Sequence, residues 1–265
     1  MNAPILVTGG TGTIGRRVVP LLTGAGYDVR VLSRHPGTDA PGIRHVEADT
    51  LTGRGLAAAL DGTETVLHLA GGAKGDDVAA RTLGAAARAA GVRHLVLISV
   101  IGADRMPIGY FRRKAAAERA IAESGVPWTV LRAAQLHDFV LPVVRSMARM
   151  PVLPVPRGLR FEPVDRDEVA ARLAELTLDR PAGRVPDLAG PEVLDIRQLA
   201  AAYAAAQGRG GRTRPALPIR LPGAVGRAYR AGDNLAGPGA QRGRGTWAHF
   251  LDGRLAATPT ASSPR

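Results

Sequence analysis

Two periods alternate along the first half of the chain. Short apolar runs stand at Ile5-Leu6-Val7-Thr8, Val29-Arg30-Val31-Leu32, Ile43 to Ala48, Thr65 to Ala70, His94 to Ser99 and Trp128 to Arg132. Runs of this length, rich in Val, Ile and Leu, predict strands, and His94 to Ser99 is apolar enough to be buried on both faces. Between them lie stretches with apolar positions three and four apart: Arg16 to Leu22, Leu56 to Leu60, Asp76 to Ala90 and Tyr110 to Glu123. These predict helices, and Gly91 and Ser124-Gly125 stand where helix ends are expected. Strands alternating with helices predict an α/β fold, a Rossmann-type doubly wound parallel sheet with helices on both faces.

From about His137 the pattern loosens. Phe139 to Met150 predicts an apolar helix carrying two arginines, and Pro151 to Pro156 an extended, proline-punctuated segment. A short strand is expected at Phe161 to Val164, a helix over Asp165 to Leu178 behind an Asp cap, a strand within Arg184 to Ala189, and a second Asp-capped helix over Asp195 to Ala206. Two prolines in Arg214 to Ile219 confine that segment to an edge strand. Residues 222–255 form a loose amphipathic region with Trp247 and Phe250 as anchors, and 256–265 are expected to be disordered. The organisation read from this is a Rossmann-type core over 1–136 and a small C-terminal lobe over 137–255, packed on it as one structural unit.

The first strand and helix are joined by Gly9-Gly10-Thr11-Gly12-Thr13-Ile14-Gly15. In this position three spaced glycines have separate physical roles: a sharp turn at Gly9, room for a pyrophosphate at Gly12, and close helix packing at Gly15. Thr11, Thr13 and Ile14 complete the loop, and the following helix aims its unsatisfied N–H groups at the phosphates. The context, strand before and helix after, makes this a dinucleotide site. At the end of the second strand an NAD site places a carboxylate for the ribose 2′-OH, but here stand Ser33-Arg34-His35. A guanidinium pairs with a 2′-phosphate, so NADP is expected over NAD, with Arg16 as a second cation.

Ligands of such sheets lie at the carboxyl ends of strands. This adds Asp49 and Thr50, with Asp49 placed to accept from the adenine amino group. It also adds Ala70, Gly71 and Gly72, which let the backbone pass under the adenosine ribose. Beyond the sixth strand, Gln135, His137 and Phe139 are candidates for substrate contact, whereas His68 reads as structural. Phe139, Val140, Val143, Met147 and Leu153 would line an apolar pocket suited to an aromatic substrate.

Tyr110 and Lys114 stand four apart on a predicted helix and so share a face. An ammonium there lowers a phenol pKa and fits the tyrosine for acid–base work, and the lysine can also hold ribose hydroxyls. Ser99, ending the fifth strand, could orient a substrate carbonyl. The lysine is notable in a chain with only two, Lys74 and Lys114, among 35 basic residues. A site needing a compact ammonium resists replacement by the larger guanidinium.

Composition narrows the classes. A 45% apolar chain of 265 residues can fill a large core. With no cysteine there is no disulfide framework, thiol nucleophile or thiolate metal site, and no metal centre is expected. Met1-Asn2-Ala3-Pro4 leads straight into the first strand and no apolar run reaches membrane length, so a soluble cytoplasmic protein is expected, without membrane partners. The net charge of +12 raises nucleic acid as a partner. Scattered arginines with few aromatics between them argue against it, and a small-molecule substrate is expected instead.

Thr8-Gly9-Gly10-Thr11-Gly12-Thr13-Ile14-Gly15, Ser99, Tyr110-x-x-x-Lys114 with Glu118, and Trp128 to Gln135 together resemble the atypical short-chain dehydrogenase/reductases, in their NmrA-like, NAD(P)H-binding branch. Pro163-Val164-Asp165, Asp167 to Ala170, Gly190-Pro191-Glu192 and Thr246-Trp247 extend the resemblance over roughly residues 4–255. It implies a Rossmann core binding NADP and a C-terminal substrate lobe. Members of the branch include reductases of quinones and other carbonyls, and redox sensors that bind the dinucleotide without consuming it. The expected function is an NADPH-dependent oxidoreductase acting on a carbonyl or quinone, with Tyr110 as proton donor. The alternatives are a non-catalytic NADP(H)-binding sensor and a non-redox cyclase or isomerase on the same fold.

Overall fold

The computed structural model describes residues 3–35, 37–72, 75–208 and 214–256. The disordered tail expected over 256–265 lies, beyond Ala256, outside the described residues.

The first half follows the two periods. In order come β1 (Ile5–Thr8), α1 (Gly15–Gly24), β2 (Val29–Ser33), β3 (Ile43–Glu47), α2 (Leu56–Leu60), β4 (Thr65–His68), α3 (Asp76–Ala89), β5 (His94–Val100), α4 (Gly109–Ala122) and β6 (Trp128–Ala133). These six strands are all parallel, in the order β6-β5-β4-β1-β2-β3. The chain therefore starts in the middle of the sheet, winds outward to β3, returns to β4 beside β1 and winds out the other way. A crevice opens where the direction reverses, between β1 and β4.

Strand alternation divides the apolar side chains between two cores. Ile5, Val7, Val96 and Leu131 face one layer, which α1 and α6 (Arg166–Leu178) cover. Leu6, Leu95, Leu97 and Val130 face the other, covered by α2, α3 and α4. Helices thus lie on both faces, as a parallel sheet buried throughout requires.

The second half is shared between this sandwich and a separate core. After β6 come α5 (His137–Met147), β7 (Leu153–Pro156), β8 (Arg160–Phe161), α6, β9 (Gly183–Arg184), β10 (Leu188–Ala189), β11 (Leu194–Asp195), α7 (Ile196–Ala206), β12 (Ala216–Ile219), α8 (Gly223–Ala231), β13 (Gln241–Arg242) and α9 (Trp247–Ala256). Short β9, β10 and β13 extend the large sheet beyond β6, in parallel. The strand expected within 184–189 is thus two pieces, both paired with β6, the second also carrying β13. The predicted Phe161 to Val164 strand is reduced to β8, which pairs antiparallel with β11, and Val164 forms only an isolated bridge to Leu136. Proline-bearing β12 pairs with β7 in a two-stranded ribbon, where every strand is an edge.

The separate core joins α5, α7 and α9. Val140, Leu153, Leu199 and Tyr203 close around Trp247, which is 1% exposed and donates its indole N–H to the Leu199 carbonyl at 3.2 Å. The region expected to be loose beyond 222 therefore contains two helices, α8 and α9. Among the described residues no helix is long and apolar enough to cross a membrane, and no group of three or more His, Asp or Glu side chains is placed to hold a metal ion.

Candidate functional site

The glycine loop is tight where it meets its own fold and open where a ligand would lie. Gly9 has φ +70°, and a Cβ on it would stand 2.7 Å from the Ala70 nitrogen, across the β1–β4 crevice. A Cβ on Gly15 would meet the Gly9 carbonyl oxygen at 2.2 Å, so this glycine lets helix α1 start directly against the loop. Gly12 is exposed and its Cβ position meets only the Gly9 oxygen, at 3.2 Å. Thr11 is exposed, and Thr13 and Ile14 are half-buried. Ile14 caps α1 with no side-chain hydrogen bond, which leaves the helix N-terminus to an anion. Arg16 donates its Nε–H to the Thr11 carbonyl at 2.7 Å, bracing the loop from outside.

At the far strands, Ser33 exchanges hydrogen bonds with the backbone of His35 at 2.8 and 3.1 Å and turns the chain there. Arg34 is exposed. Its charge acts on Asp49, whose Oδ1 accepts the Leu51 N–H at 2.8 Å, while Thr50 is buried. That backbone bond, first among the causes, holds the Asp49 carboxyl below its ordinary range. Asp49 is therefore an ionised turn-former.

At the end of β4 the structure assembles a buried ionic centre. Lys114 reaches from α4 to Asp76, the first residue of α3, with Nζ 3.0 Å from Oδ2, and both side chains are under 10% exposed. The other carboxylate oxygen of Asp76 accepts the Gly72 N–H at 2.7 Å. A Cβ on Gly71 would stand 2.8 Å from Nζ, so this glycine makes room for the ammonium, besides any role under a ribose. Beside it, Thr8 Oγ1 accepts the Ala70 N–H at 3.0 Å and stands 2.7 Å from His68 Nδ1. The hydroxyl proton is thus free to go to Nδ1, which places the histidine's own proton on Nε2.

His68 is fully buried, and burial together with the charge of Lys114 pushes its pKa down from 6.5 to about 4. Because the folded value lies below the unfolded one, this histidine contributes stability that is full above pH 6.5 and lost as pH falls toward 4. Burial holds His94 and His137 low as well, so they act in the same direction. We expect acid unfolding to begin near pH 6, with about 3 kcal/mol of the loss assignable to His68. Denaturant titrations from pH 4 to 8 on wild type and His68→Gln measure it; equal slopes in the two would exclude His68.

The expected action of Lys114 on Tyr110 is corrected by this geometry. Burial raises the tyrosine pKa above its ordinary value, and the Asp76 carboxylate raises it further. The Lys114 ammonium is paired with Asp76, and the carboxylate is the charge that acts on the phenol. Tyr110 is 39% exposed and packs edge-on against Phe111. Ser99 is buried, in register with Arg132 on β6, and its Oγ has no hydrogen-bond partner.

Beyond β6 the candidates separate. Gln135 is half-buried with Oε1 unpartnered, and Phe139 is 60% exposed. His137 lies inside the lobe core, stacked on Phe250 at 4.9 Å and near Trp247 at 5.8 Å. Burial that complete removes it from open substrate contact. The expected apolar pocket is likewise divided: Val140 and Leu153 are core, Met147 packs against that core, and Phe139 and Val143 are exposed. A cleft of about 410 Å³ does run along α5, lined by Asp138, Leu141, Pro142, Arg145, Ser146, Arg149 and Arg254, but none of the predicted site residues lines it.

Asp76 is the functional candidate the sequence reading missed. An acidic residue opening a helix four positions after Gly72 was visible, but such acids usually serve only the helix dipole. Its pairing with a lysine on another helix is set by tertiary packing.

Comparison with known proteins identifies the family. A model of a family described as NAD(P)H-binding matches residues 9–180, more than half the chain. The (4-alkanoyl-5-oxo-2,5-dihydrofuran-3-yl)methyl phosphate reductase of Streptomyces griseus is 33% identical over 249 residues, covering 85% of this chain and 84% of that protein. The NAD(P)H azoreductase of Xenophilus azovorans is 30% identical over 212 residues, covering 77% and 74%. In structure, an NADPH-dependent quinone oxidoreductase from Escherichia coli, complexed with NADPH, superposes with a TM-score of 0.79 at 22% identity, covering 95% of this chain and 99% of that one. At that identity the likeness speaks for the fold. The matched glycine loop, the Rossmann sheet and these relatives together establish that the chain belongs to the NAD(P)H-binding family, the NmrA-like branch of the atypical short-chain dehydrogenase/reductases.

Proposed function

We propose that this protein is an NADPH-dependent reductase of a small conjugated carbonyl or quinone-like substrate. The observation that carries the reading is the buried Lys114, held at the Gly71–Gly72 turn on the crevice between β1 and β4. The residues fit the dinucleotide on three counts: an uncapped helix start behind an open Gly12, the Lys114 ammonium seated against Gly71, and the exposed Arg34 after β2. When bound, NADPH supplies a hydride to an electrophilic carbon of the substrate. Lys114 holds ribose hydroxyls with the donors that Asp76 leaves it. Ser99, with its unpartnered Oγ, orients the substrate oxygen. Tyr110, kept protonated well past neutral pH, donates the proton that completes the reduction. The relatives' names point to azo compounds, quinones and an alkanoyl butenolide phosphate as substrates, and all three are electron-poor conjugated acceptors.

The test is NADPH oxidation, followed by absorbance, against quinones, azo dyes and alkanoyl butenolides, with Tyr110→Phe alongside. Turnover that falls at least 100-fold in the variant supports both reductase and proton donor; unchanged turnover would move the proton source to water. NADPH that binds but is not consumed, whichever acceptor is offered, would favour the sensor, and product formed without loss of NADPH the non-redox enzyme.

Exposed Arg34, following Ser33 at the end of β2 where an NAD site carries its carboxylate, is the basis for preferring NADPH to NADH. A bidentate charged pair is worth about 1.5–3 kcal/mol, so Arg34→Ala is expected to weaken NADPH binding roughly 10- to 100-fold. NADH affinity should be nearly unchanged. Fluorescence titration with both nucleotides measures this, and an equal loss for both would reject Arg34 as the 2′-phosphate ligand.

A further inference from the structure

The Asp76–Lys114 pair differs from a lysine that simply stands beside a tyrosine. Four observations meet at Asp76. Its Oδ2 lies 3.0 Å from the Lys114 ammonium, and its other oxygen takes the Gly72 N–H at 2.7 Å. Gly71 lacks the Cβ that would stand 2.8 Å from Nζ. The whole arrangement is buried, so the two charges must answer each other rather than water. Asp76 thereby seats the ammonium at the turn after β4, a carboxyl strand end of the kind where ligands of such sheets lie.

We propose that Asp76 is a positioning residue of this site: it holds Lys114 at the β4 turn for the cofactor ribose and neutralises the ammonium, leaving Tyr110 as an acid only. This rests on the reading of Lys114 and Tyr110 given above, and extends it to the direction of the chemistry. A phenol without a facing net cation keeps its proton. It suits proton donation to a reduced substrate and does not suit removal of a proton from an alcohol. The groups facing this centre are Asp76 from α3, His68 from β4 and Lys114 from α4, whereas the Arg113 guanidinium on α4 is folded back over Gly109. His68 is neutral near pH 7, so Asp76 is the one member whose loss leaves the lysine's charge unanswered.

Asp76→Asn tests this, since an amide oxygen can still accept the Gly72 N–H. Two equilibrium readouts need no turnover. NADPH affinity, by fluorescence, is expected to fall about tenfold as Lys114 leaves its seat. The ionisation of Tyr110, from tyrosinate absorbance of each protein minus its Tyr110→Phe counterpart, is expected to move to lower pH by about one unit. Asp76→Glu, which keeps the charge, should restore the tyrosine titration and part of the affinity, and it covers the case in which the asparagine variant does not fold. An unmoved tyrosine titration, or unchanged NADPH affinity, in Asp76→Asn overturns the proposal. If instead both shift but no substrate is ever reduced, Asp76 keeps its positioning role and the reductase reading fails separately.

Discussion

Replacing Lys114 with methionine is expected to cost stability and cofactor binding together. Methionine fills the volume but leaves the Asp76 carboxylate buried with only the Gly72 N–H for company. Removing one partner of a buried ion pair typically costs about 3–5 kcal/mol, because the remaining charge is stranded. In a chain of this size that lowers the melting temperature by roughly 10 °C. Loss of charged hydrogen bonds to ribose should weaken NADPH binding about 10- to 100-fold. The double variant Lys114→Met with Asp76→Asn separates the two effects. Removing the stranded charge should recover most of the stability and none of the affinity. Scanning calorimetry and nucleotide titration on the three proteins decide it. A single variant that melts with wild type would show that the pair contributes nothing net.

This pair also marks how far the residues alone could be read. The sheet and its helices were legible because burial imposes a period: Ile5, Leu6 and Val7 divide between two cores, and a parallel strand covered on both sides has little choice but to be apolar. The glycine loop was legible because a Cβ at Gly9 or Gly15 would collide with backbone, which no other residue type avoids. Two-residue strands such as β9, β10 and β13 carry no period, since β9 and β10 exist only where β6 offers a neighbour and β13 only where β10 does. His137 illustrates the opposite failure. Its place just after β6 suggested an open strand end, but Trp247 and Phe250, more than a hundred residues later, close over it. Asp76 and Lys114 were each visible, but the distance between them was not.

Arg132→Met is the second large effect, and it acts on the same helix from below. The Arg132 side chain is 5% exposed on β6. Its Nε and Nη2 donate to the two carboxylate oxygens of Glu118 at 2.8 and 2.7 Å, and Nη1 donates to Asp104 at 2.8 Å. One guanidinium thus ties α4, two turns beyond Tyr110 and one beyond Lys114, to β6 and to the loop that follows β5. Burial works to raise the Asp104 carboxyl, but the Arg132 hydrogen bond and charge outweigh it and hold it below its ordinary value. Stability from that carboxylate is present above its unfolded pKa of 3.8 and is lost as pH falls through the lower folded value. Methionine at 132 strands Glu118 against the sheet, with an expected loss of about 3–5 kcal/mol at neutral pH. Because α4 carries the candidate proton donor and the ribose lysine, turnover should fall in the folded fraction as well. Adding Glu118→Gln removes the stranded charge, so stability should return in part, while α4 still lacks its bidentate anchor and turnover stays low. Denaturant unfolding and steady-state rates on both variants separate the outcomes. If Arg132→Met alone keeps wild-type turnover per folded molecule, the anchor holds the fold and does not set the position of Tyr110.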